Sequence, residues 1–195
     1  MRMKRHPLSI SYLITVYNEF TEFNYLVKRV REFLDPNDEI IVLTDGPDYS
    51  HKFQDRYAEF TEYTHPLAMD FAAHKNYGLD QCKGDYVFQI DADELPCLWL
   101  LRDLKSLMEN RLDLYDVYRI NTLYKRRVVK SKVDRVSRIF KKGIRFQNKI
   151  HERPVGYKNH VCLGETYYIE HNKTFNRQGE QTHFYLTFKE AELCQ

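Results

Sequence analysis

Three short apolar runs, each closed by a cluster of polar residues, constrain what this chain can fold into. Residues 8–16 (LSISYLITV), 39–44 (EIIVLT) and 86–90 (YVFQI) are rich in β-branched and aromatic residues, the composition of strands. The second is unbroken, as expected for a strand covered on both faces. Between the first two, Phe20, Phe23, Leu26, Val27, Val30, Phe33 and Leu34 recur at helical spacing, so a helix is predicted over 19–34. Asp35-Pro36-Asn37-Asp38 ends it. A short strand is expected near 61–64, then a helix over 70–82 with Asp70 as its cap. A Leu-rich helix over 96–110 would hold Pro96 in its first turn. Alternation of this kind through the first 110 residues predicts an α/β fold with a mostly parallel sheet flanked by helices. Such sheets bind ligands beyond the carboxyl ends of their strands. The polar clusters Thr15-Val16-Tyr17-Asn18-Glu19, Thr44-Asp45-Gly46 and Asp91-Ala92-Asp93-Glu94 would therefore meet on one edge.

Later strands are predicted over 115–121 and 135–140, with weaker ones at 144–146 and 167–170 and a moderately helical tail from Glu180. At 195 residues the chain reads as a single domain over 1–195. No apolar run approaches the roughly 18 residues of a membrane span. The basic start, Met1 to Pro7, is not followed by a secretory apolar core. A soluble, cytoplasmic chain is expected. Cys82, Cys97, Cys162 and Cys194 are too far apart for a zinc or redox motif and read as structural thiols.

The formal net charge of +2 conceals an asymmetry. From Tyr124 to Lys149 there are eleven basic residues, among them Arg126, Arg127, Lys130, Arg135, Arg138, Lys141, Lys142 and Arg145, against Asp134 alone. The remainder has nineteen basic residues against twenty-seven acidic. Such a segment is expected to face an anionic partner.

Asp91 and Asp93, two residues apart at a strand end, would point into the same mouth. A hard divalent cation would relieve their repulsion, and Mg²⁺ or Mn²⁺ takes few protein ligands, filling its shell with water and phosphate oxygens.

The runs ISYLITVYNE, IIVLTDGPD and AAHKNYGLDQCKGDYVFQIDADE resemble, in order and spacing, the family 2 glycosyltransferases of the GT-A (Rossmann-like) fold. The resemblance is firm over about 8–110 and weaker through RIFKKGIRFQNKIHE (138–152) and YIEHNKTFNRQ (168–178). It implies a nucleotide-sugar-binding half over about 8–110 and an acceptor-side half over about 111–195. Thr15, Val16 and Tyr17 would frame the nucleobase, Glu19 would lie near the nucleoside, and Asp45 would hydrogen-bond the base. Lys75 stands where the family has Arg, which exchanges a planar fork for a point charge. Pro47 replaces the usual Ser, and Asp48 matches the second acid of that turn. Asp91 would sit near the ribose and the metal. Asp93 of this DXD motif would coordinate Mn²⁺ or Mg²⁺ on the diphosphate, and His171 would approach the same ion.

The resemblance implies inverting transfer from a nucleotide-diphosphate sugar, most naturally a UDP-sugar, to an acceptor hydroxyl. A carboxylate must take the acceptor proton. Glu152 in KIHERP is the candidate, with Asp134 second and His151 able to orient either. His74, beside Lys75, reads as helix surface. The basic segment implies an anionic acceptor: a cell-surface glycan, a phosphorylated or lipid-linked sugar, with peripheral membrane contact, or modified bases of DNA as in bacteriophage-type enzymes. A non-enzymatic nucleic-acid-binding protein is the rival from another class, but it has no use for a strand-end acid pair. A nucleotidyltransferase would need a Gly-rich loop where this chain has TVYNEF.

Overall fold

Strand β1 (Ile10–Val16) is buried at every position but Thr15, its one other polar residue, Ser11, being hydrogen-bonded to Glu39 and the Gly84 N–H. The computed structural model describes residues 8–46, 60–123, 126–127 and 134–173. The segment containing Pro47 and Asp48, much of the basic segment and the tail from Glu180 lie outside them. Helix α1 (Phe20–Arg31) follows β1 and buries Phe23, Leu26, Val27 and Val30, the predicted stripe. Each such burial is worth about 1.5–3 kcal/mol. Next come β2 (Glu39–Thr44), β3 (Thr61–Thr64), α2 (Phe71–Gln81), β4 (Tyr86–Asp91), β5 (Glu94–Pro96) and α3 (Leu98–Met108). The second half is strands: β6 (Leu114–Leu123), β7 (Arg126–Arg127), β8 (Asp134–Lys141), β9 (Arg145–Gln147), β10 (Arg153–Val155), β11 (His160–Cys162) and β12 (Tyr168–Lys173).

The main sheet runs β3-β2-β1-β4-β8-β6-β12-β5, with β7 and β11 also paired to β6. Strands β3, β2, β1 and β4 are parallel; β8 is antiparallel to both neighbours, and β5 to β12. The fold is thus α/β with a parallel half and a mixed extension. Alternate residues of β1 face opposite layers: Tyr12 and Ile14 pack with α1 and α3, and Leu13 with α2 and the β9–β10 hairpin. Cys82 and Cys97 are buried free thiols, consistent with structural roles. No described helix is long and apolar enough to cross a membrane.

Two local details differ from expectation. Pro96 ends β5 rather than opening a helix, and α3 starts at Leu98 with Cys97 as its cap. Proline is tolerated there because β5 lies at the sheet edge, where a missing N–H leaves no ladder bond unmade. The basic segment is also divided by strand direction. Arg135 and Arg138 fall at the carboxyl end of β4, whereas Lys141 pairs with Tyr86 at its start. There Lys141 reaches Asp113 at 3.5 Å and Arg145 pairs with Asp80. The described part is not one continuous anion-facing surface.

Gly84 shows how closely the chain approaches itself before β4. A Cβ there would lie 2.6 Å from the Ser11 nitrogen and 2.9 Å from the Ile10 carbonyl carbon. Backbone cannot yield as a side chain does, so Gly84→Ala should destabilise the protein by about 1–3 kcal/mol. Gly164→Ala, whose Cβ meets nothing within 4 Å, should be near neutral. Urea unfolding of both variants checks this, and equal midpoints would refute the crowding.

Candidate active site

Pairing of β1 with β4 sets Thr15 opposite Asp91. Asp91 Oδ1 accepts from Thr15 Oγ1 at 2.7 Å and from Gln89 Nε2 at 2.8 Å. Its Oδ2 accepts from Arg138 Nη2 at 2.7 Å. The same Nη2 donates to Glu94 Oε1 at 2.5 Å, and Nη1 donates to Gln89 Oε1 at 2.6 Å. Arg138 is buried, and the Glu94 side chain is wholly so. Burial alone would raise the Asp91 carboxyl, but the Arg138 guanidinium, then Lys75, Thr15 and Gln89, hold it well below the usual carboxylate range. Arg138 moves the opposite way: burial opposes its charge, while Asp91 and Glu94 strengthen its hold on its proton. Asp91 therefore has a resident counter-charge, and both its oxygens are engaged. Arg138 belongs to the floor of the site rather than to a basic surface.

Asp93 is held differently. Strand β12 lies between β5 and β6, with His171 opposite Glu94 on one side and Asn121 on the other. The Asn172 N–H donates to the Asp93 carbonyl at 3.2 Å. This brings His171 Nε2 to 3.2 Å from Asp93 Oδ2, while Nδ1 lies 2.9 Å from Asn121 Oδ1.

Helix α2 and the β9–β10 hairpin provide the facing wall. Lys75 Nζ donates to Glu152 Oε1 at 2.6 Å and lies 5.3 Å from the centre of the Phe146 ring. His151, just before Glu152, has a φ of 52°, a left-handed conformation uncommon outside glycine. His74 is buried, not on the helix surface, and burial lowers its pKa. Its ring meets His65, which stacks on Tyr77 at 4.5 Å. At the β2 end, Asp45 Oδ1 accepts the Leu67 N–H at 2.6 Å. Glu19 folds the turn after β1, its Oε2 accepting the N–H groups of Tyr17 and Asn18.

A cavity of about 560 Å³ gathers these groups. Thr15, Val16, Tyr17, Glu19, Asp45, Lys75, Asp91, Asp93, Glu152 and His171 all line it. Asp134 does not; its Oδ2 accepts from Arg119 Nη2 at 3.2 Å and Asn121 Nδ2 at 3.1 Å. Sequence reasoning missed Gln89, Arg119 and Asn121, and had Glu94 only as part of the strand-end acidic cluster. A glutamine inside the apolar run YVFQI was the one available signal, because a buried polar group demands a partner.

The sequence model of glycosyl transferase family 2 matches residues 11–164. The chain belongs to this family. No curated protein sequence matches it. Among solved structures it is similar to S. aureus TarS, with a TM-score of 0.61 and 13% identity, covering 85% of this chain and 37% of that one. The complex of TarS 1-349 with UDP-GlcNAc gives a TM-score of 0.61 and 14% identity, covering 85% and 59%. The complex with UDP gives 0.60 and 14%, covering 85% and 61%. The chain thus spans less than two thirds of these TarS chains, and at such identity the likeness is one of fold.

In this family 2 chain, Arg138 should be the residue whose loss is felt most. Arg138→Met leaves Asp91 and Glu94 without their shared cation and should cost about 3–5 kcal/mol. Asp91 binds its proton less readily folded than unfolded. Its contribution is therefore full above the ordinary carboxylate value of about 4 and is lost progressively as the pH falls from there toward the lower folded value. Urea midpoints should fall more steeply with acid in the parent than in Arg138→Met; parallel curves would count against the pairing.

Proposed function

We propose that this family 2 chain transfers a sugar from a UDP-sugar to a hydroxyl of an anionic acceptor, with inversion at the anomeric carbon. The observation supporting it is the convergence, on one cavity, of the β1 and β2 ends, the Asp91–Asp93 pair with His171, and Glu152 on the opposite wall. The TarS complexes with UDP-GlcNAc and UDP support the choice of donor.

Val16, Tyr17 and Asp45 would frame and hydrogen-bond the uracil, with Glu19 shaping the turn beneath the nucleoside. Asp91, fixed by Thr15 and Arg138, would face the ribose. Among the described residues no group of three or more acidic, histidine or cysteine side chains is gathered as a metal site. A facing carboxylate oxygen and imidazole nitrogen at 3.2 Å nonetheless fit an ion that draws its other ligands from diphosphate and water. Asp93 and His171 would hold it, and the nitrogen ligand favours Mn²⁺ over Mg²⁺. When bound, such an ion acts as a Lewis acid on the departing diphosphate.

The acceptor oxygen attacks the anomeric carbon as the bond to the diphosphate oxygen breaks, and Glu152 takes the acceptor proton. Lys75 orients that carboxylate and keeps positive charge near the diphosphate. Exposed Arg135 and Arg153 on the cavity wall suit an acceptor bearing phosphate or carboxylate, such as a cell-surface glycan or lipid-linked sugar.

Thermal shifts with UDP, in Mn²⁺ or EDTA, test the donor site: stabilisation should require the metal and vanish in Asp93→Ala. Glu152→Gln should keep that shift while losing about 10²–10⁴-fold in turnover. Undiminished turnover would assign the base elsewhere.

A further inference from the structure

We infer that Asn121 is a positioning residue that fixes which nitrogen of His171 faces the cavity, and that Asp134 serves this arrangement rather than proton transfer. The inference rests on the metal reading proposed above for Asp93 and His171.

The argument starts at Asp134. Its carboxylate can only accept, and it lies 3.1 Å from Asn121 Nδ2 and 3.2 Å from Arg119 Nη2. The amide of Asn121 must therefore turn its nitrogen to Asp134 and its carbonyl oxygen the other way. That oxygen lies 2.9 Å from His171 Nδ1. A carbonyl oxygen only accepts, so Nδ1 carries the hydrogen. In the neutral imidazole the lone pair then sits on Nε2, the nitrogen 3.2 Å from Asp93 Oδ2. Two acceptors facing one another are reconciled either by a second proton on Nε2 or by a metal ion bound to both.

The register makes this arrangement firm. Asn121 is the β6 partner of His171, and Arg119, two residues earlier on the same face, is the β6 partner of Asp134. Arg119 also reaches Glu94 at 3.7 Å, so the chain of contacts returns to Arg138 and Asp91. Thr122 Oγ1 donates to the His171 carbonyl at 3.4 Å, steadying the strand. A partner on the far nitrogen of a metal-binding histidine sets ring orientation and ligand strength, and its removal typically lowers metal affinity 10–100-fold.

Two measurements separate this inference from the reading it rests on. Mn²⁺ binding, followed by the electron paramagnetic resonance signal of the free ion in the presence of UDP, should be lost in Asp93→Ala. No Mn²⁺ binding by the parent protein would overturn both the metal reading and the inference. Asn121→Leu should weaken Mn²⁺ binding 10–100-fold, and unchanged affinity would overturn the inference alone. Asp134→Asn leaves one carbonyl oxygen able to accept from both Asn121 and Arg119, so the Asn121 amide keeps its sense. It should bind Mn²⁺ within about threefold of the parent, and a variant as weak as Asn121→Leu would overturn the inference. If Asn121→Leu fails to fold, the position of the ring hydrogen on His171 decides the matter. The second measurement needs no metal: long-range proton–nitrogen spectra of the His171 ring at alkaline pH should show the hydrogen on Nδ1. A hydrogen on Nε2 would overturn the inference while leaving the metal reading to the titration.

Discussion

The guanidinium of Arg138 is the interaction on which the site depends. It bridges Asp91 and Glu94 and holds the Gln89 amide; Gln89, Glu94 and Arg138 itself are buried, while Asp91 opens to the cavity. An unpaired charge at that depth would cost several kcal/mol, and a pair with one member missing is worse than none. With Arg138 in place, Asp91 is a fixed, ionised acceptor rather than one of two mutually repelling acids. Asp93, without that clamp, faces His171 across the cavity. Two carboxylates two residues apart thus acquire different chemistry from different neighbours.

Strand β12 makes that difference structural. It lies beside β5, which follows directly from the acidic cluster, and beside β6, which supplies Arg119 and Asn121. A shift of one residue in its register would turn His171 to the opposite face. The mixed extension thus completes, with side chains from β6, β8 and β12, a mouth that the parallel half only begins.

The parallel half was legible because buried parallel strands are unbroken apolar runs and their polar ends must share an edge. Thr15, Asp45, Asp91 and Asp93 could be grouped on that ground alone. Glu152 and His171 came through family resemblance, and both line the same cavity. What could not be read were partnerships across many residues. Arg138 looked like one more surface cation because a charge count ignores the alternation of side chains along β8. His74 looked exposed because one histidine on a helix does not announce which face packs inward. Pro96 looked like a helix start because nothing local shows that β12 returns beside it.

The bonds that assemble the site span large stretches of chain: 76 residues from Thr15 to Asp91, 47 from Asp91 to Arg138, 77 from Lys75 to Glu152, 78 from Asp93 to His171. Closing such loops is entropically unfavourable until the strands between them have paired. Contacts of this separation also slow folding. The site is therefore complete only once those strands have paired. The half over 8–110 holds the ends of the parallel strands, yet on its own it would lack Arg138, Glu152 and His171. The division into donor and acceptor halves is one of sequence alone: a protein that has not folded through β12 has no site.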